Sequence, residues 1–377
     1  EKDVRIPSPR GIPFDQVPEL SLPAVADEVI KGLDDRIDLI VTNFANGDVI
    51  GHTANRDAKV RCAEYVDEHL GRVVEAAIQA DYVTLITADH GNLEVLTGED
   101  GKPHVSHTGN PVSFILIDPR NPSGVSLRDG RLADIAPTLC QVLGIEPSAL
   151  MDGTSLAPQA DFGERRKALL IILDGWGISQ FPEDDPIKLA GTPVWDGLLD
   201  SYPHSPLQAS GDAVGLKPGK AGNSEAGHMN IGAGRVVLQD DVRLDQAMKD
   251  GSFYQNEVIL NAIADVKTRG SQLHLIGLLT EKSSHGSIDY PLAVLKMARD
   301  SGLENANLHM IFDGRSTEPG SAPALLEKLE ALVDQVGIGR IVTGIGRGIA
   351  LDRDGNYHKT QKAYDALVHG LGKGTRT

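Results

Sequence analysis

The chain has very little cysteine: two thiols, Cys62 and Cys140, in 377 residues. That excludes a disulfide framework. Both cysteines sit in apolar helical patterns, at 60–66 and 135–143, where a buried and inert thiol is expected. Long hydrophobic runs are also missing, so no segment is expected to cross a bilayer and no membrane partner is implied. The first residues, Glu1-Lys2-Asp3-Val4-Arg5, lack the basic start and apolar stretch of a signal peptide. Together these absences point to the cytoplasm. Positive charge is scarce as well: 36 Lys and Arg stand against 53 Asp and Glu, a formal net charge of -17. This excludes a nucleic-acid surface, which needs a basic patch. An anionic substrate would have to be met by local Arg or Lys clusters or by metal ions.

What is present reads as a globular α/β protein. Hydrophobic residues make up 40%, a normal share, and the length calls for at least two domains. Strand-like runs at 37–41 (expected to be buried), 82–86, 112–117 and 168–173 alternate with helical patterns at 56–80 and 132–143. This implies a mostly parallel sheet with helices on both faces. Residues 152–167 are polar, contain Pro158 and the cluster Glu164-Arg165-Arg166-Lys167, and read as a connector, about 157–167 at its core. After 238 a second, smaller α/β series begins. Its strands are expected at 273–279, 308–312 and 341–343, its helices at 290–301, 322–335 and 359–371. The domains are therefore 1–238 and 239–377.

Three strands end in short loops rich in carboxylates and imidazoles. Asn43-Phe44-Ala45-Asn46-Gly47-Asp48 leads to Gly51-His52, Thr87-Ala88-Asp89-His90-Gly91-Asn92 follows the second strand, and Asp174-Gly175-Trp176-Gly177 ends the strand after the connector. Ligands bind beyond the carboxyl ends of strands in open α/β sheets, so these loops can converge there. Mixtures of Asp and His suit Mn²⁺ or Zn²⁺, and the inventory is large enough for two ions that would clamp a phosphoryl group. Gly222-Asn223-Ser224-Glu225-Ala226-Gly227-His228 places a serine in a glycine-flanked turn before a helix. Such a hydroxyl becomes a nucleophile only when a base or metal activates it. Each motif has a plainer reading. Asp174 can begin a turn, Ser224 can be a helix cap, Asp48 and His52 can be a solvated pair, and His107 can be a polar hairpin residue.

These segments, with His104-Val105-Ser106-His107-Thr108-Gly109-Asn110-Pro111 and Arg131-Leu132-Ala133-Asp134-Ile135-Ala136-Pro137-Thr138, resemble the cofactor-independent phosphoglycerate mutases of the alkaline phosphatase superfamily. The resemblance implies that residues 1–238 form a metal-binding, phosphatase-like domain and 239–377 part of a substrate-binding domain. One metal would be held by Asp48, His52 and His107. The other would be held by Asp89, His90, Asp174 and Ser224, with Ser224 the residue that is phosphorylated. His285, Arg315, Arg347 and Arg353 match positions that hold the substrate's phosphate and carboxylate, where the planar arginine fork is apt. The implied cofactors are two divalent ions, Mn²⁺ first with Zn²⁺ or Co²⁺ as alternatives, and no 2,3-bisphosphoglycerate. The implied partner is a small phosphorylated substrate, phosphoglycerate, and the implied state is a monomer.

The chain departs from the family in two ways. The order is rotated: the segment 167–377 comes first in the family and the part resembling 1–156 comes last. The second half of the transferase domain, with its Asp-Arg-x-Arg and lysine motifs, has no counterpart. Locally, Asp313-Gly314-Arg315-Ser316 lacks the family's last carboxylate, and the loop Lys282-Ser283-Ser284-His285-Gly286-Ser287 replaces a histidine-richer one. The implied reaction is the interconversion of 3- and 2-phosphoglycerate through phosphoserine, a step in glycolysis. The alternatives are a metal-dependent phosphatase, if glycerate escapes before it is rephosphorylated, or another phosphomutase of the superfamily.

Overall fold

The computed structural model describes residues 2–122, 124–163, 165–281, 283 and 285–373. Glu164 of the connector cluster and Lys282 and Ser284 of the 282–287 loop lie outside these residues, as does Glu1. By contacts the chain divides into two units, Glu1–Gln239 and Asp240–Thr377.

The first unit holds six strands: β1 (Leu39–Phe44), β2 (Val83–Thr87), β3 (Val112–Ile117), β4 (Gly130–Arg131), β5 (Ala168–Leu173) and β6 (His204–Gln208). They form one sheet in the order β1-β5-β2-β3-β6-β4. β5 is apolar throughout and fully buried, as suits a central strand of a parallel sheet. It runs parallel to both β1 and β2. β4 runs parallel to β6, while β3 is antiparallel to β2 and β6. The sheet is mainly parallel, as expected. One reading needs correction. The first strand is not buried: it begins at Leu39 and lies at the sheet edge, where Leu39 and Val41 are exposed, because only β5 pairs with it.

Helices α1 (Leu22–Asp34), α2 (Asn46–Gly51), α3 (Arg56–Gln79), α4 (Ile135–Leu143), α5 (Pro186–Leu189), α6 (Pro193–Ser201) and α7 (Ser224–Ala233) complete this unit. The α3 sequence buries Ala58, Cys62, Val66, Leu70, Val73 and Ala77, the spacing of one helical face. Asn55 caps it, accepting from the Ala58 amide at 3.1 Å. Cys62 is buried as expected, but Cys140 is only half-buried, because it lies with Gln141 on the outward side of α4, whose last residues Val142 and Leu143 turn inward.

The described residues of the connector form neither helix nor strand, yet Leu156, Ala157 and Phe162 are buried. Its last residues are held by charge. Arg165 and Lys167 reach Asp38 at 2.8 and 3.0 Å, while buried Arg166 pairs with Asp118 at 3.2 Å and Asp81 at 3.1 Å. The segment therefore enters β5 in one fixed register between β1 and β2.

The second unit contains three parallel strands, β7 (Leu273–Leu279), β8 (Ala306–Phe312) and β9 (Arg340–Gly346), in that order. Helices α8 (Asp240–Asp250), α9 (Glu257–Arg269), α10 (Asp289–Asp300), α11 (Ala322–Val336), α12 (Arg347–Ala350) and α13 (Tyr357–Val368) surround or follow them. β8 carries the core with Leu308 and Met310, against Leu295 and Leu329.

Candidate metal centre

Three neighbouring parallel strands, β1, β5 and β2, bring their carboxyl ends side by side, with Phe44 level with Leu173 and Thr87 with Ile172. A ligand set follows directly from this register. Asp174 comes one residue after β5, Asp89 and His90 two and three after β2, and Asp48 lies in α2 just beyond β1. Glycine permits the close approach these loops need. Gly175 has φ +74°, and a Cβ there would lie 2.7 Å from the Asp48 amide; a Cβ on Gly227 of α7 would lie 2.4 Å from the Asp89 carbonyl oxygen.

Asp48, His52 and His107 meet as one triad. His52 Nε2 lies 3.0 Å from His107 Nε2, and Asp48 Oδ1 lies 3.3 Å from the first and 3.1 Å from the second. The outer nitrogens are already engaged: His52 Nδ1 faces the Val105 carbonyl at 2.8 Å and His107 Nδ1 the Gly222 carbonyl at 2.9 Å. A carbonyl can only accept, so in the neutral rings the proton is on Nδ1 and both Nε2 lone pairs point at each other and at a carboxylate. Such a cluster calls for a cation or a proton at its centre. His52 is exposed and Asp48 only partly buried, so this pair opens to solvent, and His107 joins it from the hairpin as a third member.

A second group surrounds Ser224. Its hydroxyl lies 3.0 Å from His90 Nε2 and 3.3 Å from Asp174 Oδ1. His90 Nε2 is also 3.3 Å from Asp174 Oδ1, 3.5 Å from Asp89 Oδ2 and 3.8 Å from Asp48 Oδ1, which links the two groups. Asn43 donates to Asp174 at 2.9 Å and Asn92 to Asp48 at 2.8 Å, so each carboxylate is oriented from behind. Asp89 Oδ1 accepts the amides of His90 and Gly175, at 3.0 and 3.3 Å. Its Oδ2, wholly buried, receives no well-directed hydrogen bond, although His228 Nδ1 stands 3.1 Å away; that nitrogen already faces the Ser224 carbonyl at 2.9 Å. A buried carboxylate oxygen met only by this poorly directed imidazole is free to take a cation. Ser224 is not the helix cap. Asn223 takes that place, accepting from the Ala226 amide at 2.9 Å, and the serine hydroxyl one residue on is left for the site.

Charge shapes the titration of these groups. Burial alone would raise the Asp48 carboxyl, but a hydrogen bond from His107 when that ring is protonated, the Asn92 side-chain amide and the His90 and His52 imidazolium charges hold it at about 2. Burial would lower His90, yet its bond to Asp174 and the charge of Asp89 push it up to about 9. Asp174 is raised by burial and by the Asp89 charge next to it, the mark of carboxylates crowded into one site. Among the described residues, the potential ligand groups are Asp48-His52-His107, Asp48-His90-Asp174 and Asp89-Asp174-His228. The donor chemistry of oxygen and imidazole nitrogen suits divalent metal ions.

Sequence reasoning named seven of these side chains and passed over His228 and Glu94. His228 stands four residues after Ser224, the spacing of one helix face, and that spacing was the available signal. Glu94 is wholly buried and joins three loops by accepting from the main-chain amides of Asn92 and Gly177, the Thr108 hydroxyl and the Asn110 side-chain Nδ2. Nothing in its local sequence marks it.

The four expected substrate residues lie in the second unit, each after the carboxyl end of a strand: His285 after β7, Arg315 after β8, Arg347 and Arg353 after β9. His285, Arg315 and Arg353 are exposed, and no contact among the four is seen in the described residues. Arg347 is engaged by buried Asp313 at 2.6 Å. Beside this pair, at the start of α11, is a cavity of about 300 Å³.

Known proteins resemble the chain in both units. A family model described as "BPG-independent PGAM N-terminus" matches residues 244–377, and one described as "Metalloenzyme superfamily" matches residues 1–147. A 2,3-bisphosphoglycerate-independent phosphoglycerate mutase of Bacteroides fragilis is 44% identical over 208 residues, 55% of this chain and 41% of that protein. The enzyme of the same name from Myxococcus xanthus is 46% identical over 206 residues, 55% of this chain and 40% of its own length. A mutase of Methanosarcina acetivorans is 44% identical over 207 residues, with the same coverage of 55% and 40%. The match thus spans about two fifths of these relatives. A solved phosphoglycerate mutase of Leishmania mexicana, at low cobalt concentration, is 34% identical and covers 43% of this chain and 31% of that one, with a TM-score of 0.39.

Proposed function

Because the chain is a sequence relative of the 2,3-bisphosphoglycerate-independent phosphoglycerate mutases, we propose that it interconverts 3-phosphoglycerate and 2-phosphoglycerate through a phosphoserine on Ser224. The observation that carries this reading is the Ser224 hydroxyl, uncapped and set 3.0 Å from His90 Nε2 and 3.3 Å from Asp174 Oδ1. Two divalent ions, Mn²⁺ in the first instance, held by Asp48, His52 and His107 and by Asp89, His90, Asp174 and Ser224, would neutralise charge on the transferred phosphoryl group.

In the first step the Ser224 hydroxyl gives up its proton and its oxygen bonds to phosphorus as the bond from phosphorus to the 3-oxygen of the substrate breaks, and the freed 3-oxygen takes up that one proton. In the second, the 2-hydroxyl of the retained glycerate attacks phosphoserine, loses its proton and releases Ser224. His285, Arg315, Arg347 and Arg353 would hold the phosphate and carboxylate, and Asp313 would fix one edge of the Arg347 guanidinium while its other donors face substrate. The reading places the protein in glycolysis, as a cytoplasmic monomer. In the structure, no helix among the described residues is long and apolar enough to cross a membrane.

Hydrolysis is the second reading, favoured by Ser316 standing where the family motif ends in a carboxylate. Phosphorus NMR of the Mn²⁺-loaded protein with 3-phosphoglycerate separates the two. Formation of 2-phosphoglycerate with little free phosphate supports the mutase; free phosphate in excess supports the phosphatase; neither product, from a protein that binds metal, overturns both.

A further inference from the structure

Behind the first triad, α3 sends a lysine into the interior. Lys59 is 1% exposed. Its Nζ donates to the His104 carbonyl at 2.6 Å and the Val95 carbonyl at 3.3 Å, and among the described residues it forms no ion pair. Burial pulls the ammonium down to about 8, against the opposing fields of Glu94, Asp184 and Cys62. A methionine would fill the same space without the cost of desolvating a charge. What the ammonium adds is several donors at one point.

The two carbonyls belong to opposite arms of one hairpin. The His104 amide donates to the Leu96 carbonyl at 2.7 Å, and Thr97 pairs with Pro103. Immediately after His104 comes Val105, whose carbonyl receives His52 Nδ1 at 2.8 Å, and two residues further stands His107. The hairpin therefore delivers one ligand of the triad and the orienting carbonyl of another. From the described contacts, Lys59 ties both arms of this hairpin to α3.

We propose that Lys59 is a positioning residue of the Asp48-His52-His107 triad, holding the His104 carbonyl so that Val105 and His107 stand where the triad needs them. The proposal rests on reading that triad as a metal site. The Val105 carbonyl is the group directly behind His52, and Lys59 stands one link further back through the neighbouring His104 carbonyl. A direct partner of a ligand changes metal affinity by about 10–100-fold, so the effect of Lys59 should lie at or below the lower end of that range.

The test is Co²⁺ titration followed by calorimetry and visible absorption, on the whole chain. His107→Ala first marks which of the two binding events belongs to the triad. Lys59→Met is then expected to weaken that event by about 10-fold, the lower end of what a direct partner of a ligand is worth, to alter its absorption bands, and to leave the other event within about threefold. Lys59→Arg, which keeps the donors, should recover part of the loss. Should Lys59→Met not fold, Lys59→Gln is read by the same criteria. Unchanged affinities, or equal weakening of both events, overturn the proposal, since equal loss is what general destabilisation produces. Absence of any Co²⁺ binding by the unaltered protein overturns the metal reading itself.

Discussion

His52 and His107 face each other through their Nε2 atoms at 3.0 Å, each with its Nδ1 committed to a main-chain carbonyl. Two neutral rings so held present lone pair to lone pair, an arrangement that a shared cation relieves. His107→Ala is therefore expected to remove one of two Mn²⁺ binding events. Because a partner behind a ligand is worth about 10–100-fold in affinity, loss of a ligand itself should cost at least about 100-fold. Calorimetric titration checks this; two unaltered binding events would place the ions elsewhere.

Metal binding should release protons. His90 is held at about 9 in the metal-free site, chiefly by Asp174 and Asp89 acting against burial. Its folded pKa lies above its unfolded value of about 6.5. The stability it contributes is thus fully present below about 6.5 and is lost as pH rises through about 9. The metal-free protein should lose stability across that window. At pH 7.5 a divalent ion must displace the proton on His90. Titrations in buffers of different ionisation enthalpy are expected to show about one proton released by this group. Release that does not decline toward pH 10 would count against the assignment.

Ser224→Ala should abolish phosphoenzyme formation. Loss of a nucleophile in a cooperating site can cost on the order of 10⁴–10⁶ in turnover. Because Asn223, and not Ser224, caps α7, thermal stability should change little. Intact-mass measurement after incubation with substrate reads the phosphoserine directly. Residual activity near that of the unaltered protein would remove Ser224 from the reaction.

Arg166→Met tests the end of the connector. The Arg166 and Asp118 side chains are each 4% exposed and lie 3.2 Å apart. Removing the guanidinium leaves a buried carboxylate without its partner, a loss of about 3–5 kcal/mol. Urea unfolding measures it. Arg166→Met with Asp118→Leu should recover much of that loss, since both charges are then gone.

Asp185 predicts a gain in stability where Arg166 predicts a loss, with the same pH direction as His90. It caps α5 by accepting from the Ile187 amide at 2.8 Å, and burial raises its carboxyl to about 7. A raised carboxyl means that stability falls as pH climbs from about 4 through 7. Asparagine caps equally well and carries no charge. Asp185→Asn is expected to stabilise the protein by about 1–3 kcal/mol at pH 8 and to change little at pH 4, as read by unfolding at the two pH values.

Much of this was legible in the sequence because it is local. The apolar run Ala168–Leu173 and the nearly apolar run Val112–Ile117 coincide with β5 and β3 to the residue, since a strand buried on both faces leaves little room for polar residues, Ser113 being the one in these two. Asp48, Asp89, His90 and Asp174 could be named because each stands in the few residues that follow a strand, where parallel neighbours deliver their ends together. The helical spacing of Ser224 and His228 was equally visible, though its meaning was not.

Other features depend on direction and distance between segments far apart in the chain. No local pattern tells that β3 runs antiparallel to β2, that β1 lies at an edge, that Asn223 takes the cap, or that Glu94 and Lys59 brace the loops from behind. The sequence by itself determined which chemical groups follow each strand. Only the tertiary structure decided which of their atoms face one another, because hydrogen bonds to the distant Val105 and Gly222 carbonyls, and not the residues' neighbours, set the outward nitrogens of His52 and His107.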